Sequence, residues 1–154
     1  MKLLILSDSH GYLFYLEEIL KRERGADMII HLGDGADDLM AMSEYTQGKM
    51  VYTCKGNCDS AVYGFPEAVQ TEAEGVKIFA CHGHQYGVKF GLQRLYYAAK
   101  EHGAQLCLFG HTHEPYSDFE EDFFMVNPGP AAGGYYAVAE LKNGMIKTVN
   151  KQIS

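Results

Sequence analysis

The sequence contains no tryptophan, no excess of positive charge and no second pair of closely spaced cysteines. No apolar run approaches the roughly 18–20 residues of a membrane span, which excludes a transmembrane helix. The first apolar run, Leu3 to Leu6, is only four residues long and soon meets Asp8, so it is not expected to act as a signal peptide. Thirteen basic against 20 acidic residues leave a net charge of −7. That argues against nucleic acid as a partner, because sequence-blind binding needs a basic face. Cys54 and Cys58 form a C-x3-C pair, but nothing in the chain answers it as a zinc ribbon requires. With no export signal, all four cysteines are expected to be free thiols in a reducing cytoplasm. No Pro/Ser-rich linker, repeat or charge block divides the chain, so residues 1–154 are expected to be one domain. A chain of this length buries roughly two-thirds of its unfolded surface and needs no disulfide or metal merely to fold.

What is present is glycine and histidine. There are 17 glycines, about 11% against a norm of about 7%, and seven histidines. Short apolar runs at Leu3–Leu6, Met28–Leu32, Met50–Thr53, Val76–Ala80 and Leu106–Phe109 suit strands buried on both faces. Between them, Leu13, Leu16 and Leu20 mark a helix closed by Gly25. Leu39 and Met42 mark a shorter one, and Leu92, Leu95 and Ala99 a third, ended by Gly103. This β-α-β order predicts a mainly parallel sheet with helices outside. The last third changes character. Phe119–Phe123 and above all Asn143-Gly144 read as hairpin turns, and Glu72–Gly75, earlier in the chain, is a third candidate. An α/β fold of two stacked sheets flanked by helices accommodates both parts.

Each apolar run ends in polar residues of one chemical kind. In order they are Asp8-Ser9-His10, Gly33-Asp34, Gly56-Asn57-Cys58-Asp59, His82-Gly83-His84 and Gly110-His111-Thr112-His113. Ligands of open α/β sheets bind outside the carboxyl ends of the strands, and five of the seven histidines fall there. Imidazole, carboxylate and amide oxygen make a mixed N/O donor set suited to Mn²⁺, Fe or Zn²⁺ rather than to a thiolate-bound ion. Two ions about 3.5–4 Å apart, sharing a carboxylate, suit in-line hydrolysis of a phosphate ester. Taken singly, several of these residues have plainer roles. Asp8, His10 and Asp34 can cap helices, Asn57 can be a turn residue, and Asp37 and Asp38 can decorate a first helical turn. His31 reads as a packed or hydrogen-bonded core residue, and His102 as a surface residue at a helix end.

The ordered set DxH, GD, GNxD, HGH, GHTH resembles the calcineurin-like metallophosphoesterases, and within them the small, single-domain YfcE-like phosphodiesterases. The resemblance spans about residues 3 to 130. It implies a four-layer αββα sandwich of two stacked mixed β-sheets. It also implies a metal-dependent phosphoesterase that hydrolyses small phosphate esters, in which Asp8, His10 and His113 hold one ion and Asn57, His82 and His111 the other. Asp34 would bridge the pair together with an attacking hydroxide. Mn²⁺ is the leading cofactor by the same likeness, with Zn²⁺, Fe and Ni²⁺ as alternatives, and a homodimer or tetramer accords with family habit. The implied catalytic set is Asp34, Asn57, Cys58 and Asp59, with Asp59 supporting the turn rather than ligating. Cys58 departs from the pattern, since many relatives carry a histidine there that assists the leaving group. A thiol with a reference pKa of about 8.5 donates only weakly. Pro130 replaces the usual serine after Asn127-Pro128-Gly129. The alternatives are a phosphomonoesterase or cyclic-nucleotide esterase, and a non-catalytic scaffold like a retromer subunit of the same fold.

Overall fold

The computed structural model describes all of residues 1–154. In chain order its elements are β1 (Lys2–Leu6), α1 (Leu13–Arg22), β2 (Met28–His31), a 3₁₀ segment (Ala36–Met42), the single turn α2 (Ser43–Thr46), β3 (Met50–Thr53), β4 (Ala68–Ala73), β5 (Val76–Cys81), α3 (Gln93–Glu101), β6 (Leu106–Leu108), β7 (Tyr116–Glu120), β8 (Phe123–Asn127), β9 (Tyr135–Lys142) and β10 (Met145–Gln152). Two five-stranded sheets result, ordered β10-β9-β1-β2-β3 and β4-β5-β6-β8-β7. Both are mixed. The β1–β2–β3 and β5–β6–β8 pairings are parallel, and hairpin strands complete each sheet antiparallel.

Alternation along the strands sorts side chains into three apolar interfaces, because successive residues face opposite sides of a sheet. Leu3, Ile5, Met28, Ile30, Ile78, Ala80, Leu106 and Leu108 meet between the sheets. Leu4, Leu6 and Ile29 face outward onto Leu16, Ile19 and Leu20 of α1. Phe79, Cys81, Cys107 and Phe109 face the other way onto Leu95 and Ala99 of α3. Helix, sheet, sheet and helix are therefore stacked as the αββα reading requires. No helix is long and apolar enough to cross a membrane.

Three local expectations need correction. Residues Met50–Thr53 form an edge strand and are exposed or half-buried, not covered on both faces. The helix expected around Leu39 and Met42 is mostly 3₁₀, entered through Gly35 at φ 117°. Helix α1 ends at Glu23 rather than at Gly25. The hairpin turns stand where expected, with Lys142 opposite Met145, Glu120 opposite Phe123 and Ala73 opposite Val76. Strands β1, β2, β5 and β6 all end on the same side of the molecule, and the next residues of each build the site.

Candidate metal centre

Two groups of side chains converge there. Asp8, His10 and His113 form one, and Asp34, His82 and His111 the other; within each group the ligand-capable atoms lie within 4.8 Å of one another. In the first, Asp8 Oδ1 stands 3.2 Å from His113 Nε2 and 3.5 Å from His10 Nε2, and the two imidazole nitrogens face each other at 3.3 Å. In the second, Asp34 Oδ2 is 3.2 Å from His82 Nε2, which is 3.1 Å from His111 Nδ1. The same Asp34 Oδ2 lies 3.9 Å from His10 Nε2, and Asp8 Oδ1 lies 3.9 Å from His82 Nε2. The groups therefore adjoin, with Asp34 facing both.

The backbone pays a conformational cost for this arrangement. Asp8, His10, Asp34, His111 and His113 have φ of 54°, 49°, 57°, 71° and 61°. Left-handed non-glycine residues are uncommon and cost of order 1–3 kcal/mol each. Only three others occur, Glu74, Glu121 and Asn143, all in hairpin turns. Glycine supplies the close approaches. A Cβ on Gly56 would run into the Asp34 carboxylate and amide, and one on Gly110 into Ser7 and Asp8.

Hydrogen bonds aim the carboxylates and rings. Asp8 Oδ2 accepts from Ser7 Oγ and from the His111 N–H at 3.1 Å. Its other oxygen, Oδ1, is buried and has no hydrogen-bond partner. His82 is fully buried, and its Nδ1–H donates to the Leu32 carbonyl at 2.8 Å, which turns Nε2 toward the cluster. Asp34 Oδ1 accepts the Cys58 N–H at 2.8 Å. Burial raises the Asp34 pKa, but His82 and the Cys58 amide outweigh it and hold the carboxyl well below the usual range. For His82, burial pulls down while its bond to Asp34 and the charge of Asp8 push up, with a net rise. His111 is lowered by burial and then by His82.

Asp59 takes a different place from the clusters. Its two oxygens accept the backbone N–H groups of Asp34, Gly35, Ala36 and Gly56 at 2.8, 2.8, 3.1 and 2.7 Å. Burial opposes the charge, but these four amides prevail and lower its pKa. Asn57 is exposed and its Nδ2 lies 3.5 Å from Cys58 Sγ. The exposed Cys58 thiol is pushed up by burial of the sulphur and by the charge of Asp34, so it stays protonated at neutral pH.

Sequence reasoning passed over Ser7 and Asn127. Asn127 is fully buried; its Nδ2 donates to the Gly110 carbonyl and to Thr112 Oγ1, which fixes the loop bearing His111 and His113. Its place beside Pro128-Gly129 was the available signal. His84 packs 5.5 Å from the His82 ring. A groove of about 420 Å³ between α3 and the β7–β8 hairpin is lined by Tyr96, Tyr97 and Phe119 and by none of the cluster residues.

The donor set fits divalent cations. Asp8 Oδ1 is a buried carboxylate oxygen without a hydrogen-bond donor, 3.2 and 3.5 Å from the His113 and His10 ring nitrogens, and a cation held among the three would satisfy it. The calcineurin-like phosphoesterase superfamily domain model matches residues 1–144. The chain belongs to that superfamily. A probable metallophosphoesterase, YsnB of Bacillus subtilis, is 39% identical over 132 residues, covering 84% of this chain and 74% of its own. Phosphodiesterase YfcE of Escherichia coli is 29% identical over 97% of this chain and 91% of its own. Among solved structures, a predicted phosphoesterase of Streptococcus pneumoniae is 30% identical, with 97% of each chain covered and a TM-score of 0.74. Vps29 of Entamoeba histolytica covers all of both chains with a TM-score of 0.78, but at 18% identity it speaks for the fold alone. Membership of this superfamily implies divalent metals, and the two clusters are the candidate sites for them.

Proposed function

We propose that this one-domain chain is a dinuclear phosphoesterase, acting in the cytoplasm on small phosphate esters, and on diesters before monoesters. The observation that carries this reading is the convergence of Asp8 Oδ1, Asp34 Oδ2 and four imidazoles on two adjoining points. Asp8, His10 and His113 would hold one ion, His82, His111 and Asn57 the other, and Asp34 both. Mn²⁺ is proposed first, with Zn²⁺, Fe and Ni²⁺ as alternatives, on the mixed N/O donors. Divalent ions bound there supply Lewis acidity toward phosphoryl oxygens and lower the pKa of water. The residues do the rest. The Asp59 carboxylate fixes the turn from Asp34 to Ala36. The Leu32 carbonyl fixes the His82 tautomer. Cys58 presents a weak donor at the exposed rim. The names of YsnB and YfcE support the reaction class, and diesterase preference rests on YfcE.

The test is a metal count joined to an assay. Metal-stripped protein is reloaded with Mn²⁺ and its bound ions are counted. It is then offered an aryl phosphodiester and an aryl phosphomonoester. Two ions per chain and faster diester turnover are expected, with Asp34→Ala losing both ions and rate. Faster monoester turnover would make the chain a phosphomonoesterase. Fewer than one ion per chain with no turnover in any divalent metal would leave a scaffold of the same fold.

A further inference from the structure

Beneath His10 lies a chain of hydrogen bonds, buried at one end and exposed at the other, that no role above uses. The Gly33 N–H donates to His31 Nδ1 at 3.1 Å, so the proton of that neutral ring sits on Nε2. Nε2 faces Ser9 Oγ at 2.9 Å. Accepting the hydrogen bond from that N–H, Ser9 Oγ donates its own to Asp38 Oδ2 at 2.6 Å. The same Oδ2 accepts the Gly11 N–H at 2.9 Å. His31 and Ser9 are fully buried. Gly35 leaves the room: a Cβ there would meet Ser9 Oγ, the Asp38 carboxylate and the His10 amide. Every donor in this chain has one acceptor in reach, apart from a longer 3.4 Å contact from Ser9 Oγ to the Gly35 carbonyl.

We infer that Asp38, acting through Ser9 and Gly11, is a positioning residue for the Asp8–His10–His113 cluster and not for its neighbour. The inference rests on the two-ion reading above. Backbone bonds from Asp8 N to the Gly33 carbonyl and from His10 N to the Asp34 carbonyl, both 2.9 Å, already join the two loops. The fold therefore does not need Asp38 to bring them together. Those bonds do not fix the left-handed turn through His10 (φ 49°) and Gly11 (φ 78°), which Asp38 grips from both sides. The Asp34–His82–His111 cluster is held instead by Asp59 and the Leu32 carbonyl. Loss of Asp38 thus acts on one ion.

Mn²⁺ titration calorimetry of metal-stripped protein tests this in two backgrounds, each with one cluster disabled. In His111→Ala, where the first cluster remains, Asp38→Ala weakens Mn²⁺ binding about 10–100-fold, the usual cost of losing a group that orients a ligand. In His113→Ala, where the second remains, Asp38→Ala leaves Mn²⁺ affinity unchanged. Asp38→Asn keeps an oxygen able to accept both bonds and recovers most of the lost affinity, which a requirement for charge would not allow. Ser9→Ala breaks the chain at its middle, repeats the selective loss, and replaces Asp38→Ala should that variant not fold. An equal loss in both backgrounds, or none in either, overturns the inference while the two-ion reading stands. Wild-type protein binding fewer than one Mn²⁺ per chain overturns both.

Discussion

At the scale of single residues, Cys58 and Asp59 divide the tasks that one motif suggested. The four amides on Asp59 leave its carboxylate no free face for substrate. Cys58 has the opposite situation, exposed at the rim with its backbone N–H on Asp34 and its thiol open. General-acid assistance is worth about 10²–10⁴ in rate, and a protonated thiol delivers little of it. Cys58→His should therefore raise kcat for a phosphodiester with a poor leaving group by at least about tenfold. An activated aryl diester, whose leaving group needs no proton, should respond much less. Unchanged kinetics for both esters, in a variant shown to be folded and loaded with metal, would remove leaving-group assistance as the explanation for this position. The identities of these residues were plain in the sequence. Their orientations were not, because Asp59 shows its role only when four amides from two loops are placed around it. His31 is similar: a buried histidine was expected, but its link to Ser9 and Asp38 depends on contacts 22 and 29 residues apart in the chain.

At the scale of elements, short continuous apolar runs made the central strands legible, and Asn143-Gly144 marked the β9–β10 hairpin directly. Edge strands were harder to recognise. The run Met50–Thr53 looks as apolar as a central strand, and only the sheet order shows that β3 is an edge strand, with Met50 and Val51 exposed. Likewise the 3₁₀ segment carries helical spacing, but Asp38 within it is tied to Ser9 and Gly11. Glu23, the residue that ends α1, also went unremarked as a tie between elements. It is 5% exposed and binds Lys2 of β1 at 2.7 Å, Lys151 of β10 at 3.3 Å and the Tyr136 hydroxyl of β9 at 3.2 Å. Burial alone would raise its pKa, but Lys2 and Lys151 bring it below the ordinary glutamate value. A carboxylate with a folded pKa below its unfolded one binds fewer protons folded than unfolded. Its stabilisation is full above the unfolded value, about 4.3, and is lost as pH falls through the folded value. Glu23→Gln should therefore lower stability at pH 7, by about 1–3 kcal/mol from the weakened buried contacts. It should also flatten the fall in stability below about pH 4.3. Denaturant melts of both proteins across pH 3–7 check this, and parallel acid limbs would show that Glu23 carries none of the slope.

At the scale of the whole molecule, a net charge of −7 coexists with a centre built for anions. Without ions that centre holds two inward carboxylates, an unpartnered buried oxygen and imidazoles crowded on one another. Two divalent ions against Asp8 and Asp34 reverse its sign to a net charge of about +2. With the proposed ions in place, a small phosphate ester would be drawn in at short range. The same reversal bears on stability. The proposed ligands come from loops after five different strands, so the unfolded chain cannot present them together and the ions bind the folded state alone. Each ion at about 100 times its Kd then adds about 2.7 kcal/mol. At this chain length about 1 kcal/mol moves Tm by roughly 2–4 °C, which gives roughly 5–10 °C for each ion. Mn²⁺ at about 100 times each Kd should accordingly raise Tm by about 10–20 °C over the chelated protein, the rise beginning as concentration passes the lower Kd and steepening past the higher. Asp34→Ala, which removes the carboxylate facing both clusters, should abolish most of the shift. A Tm indifferent to Mn²⁺ over that whole concentration range would mean that the clustered imidazoles and carboxylates are satisfied without it.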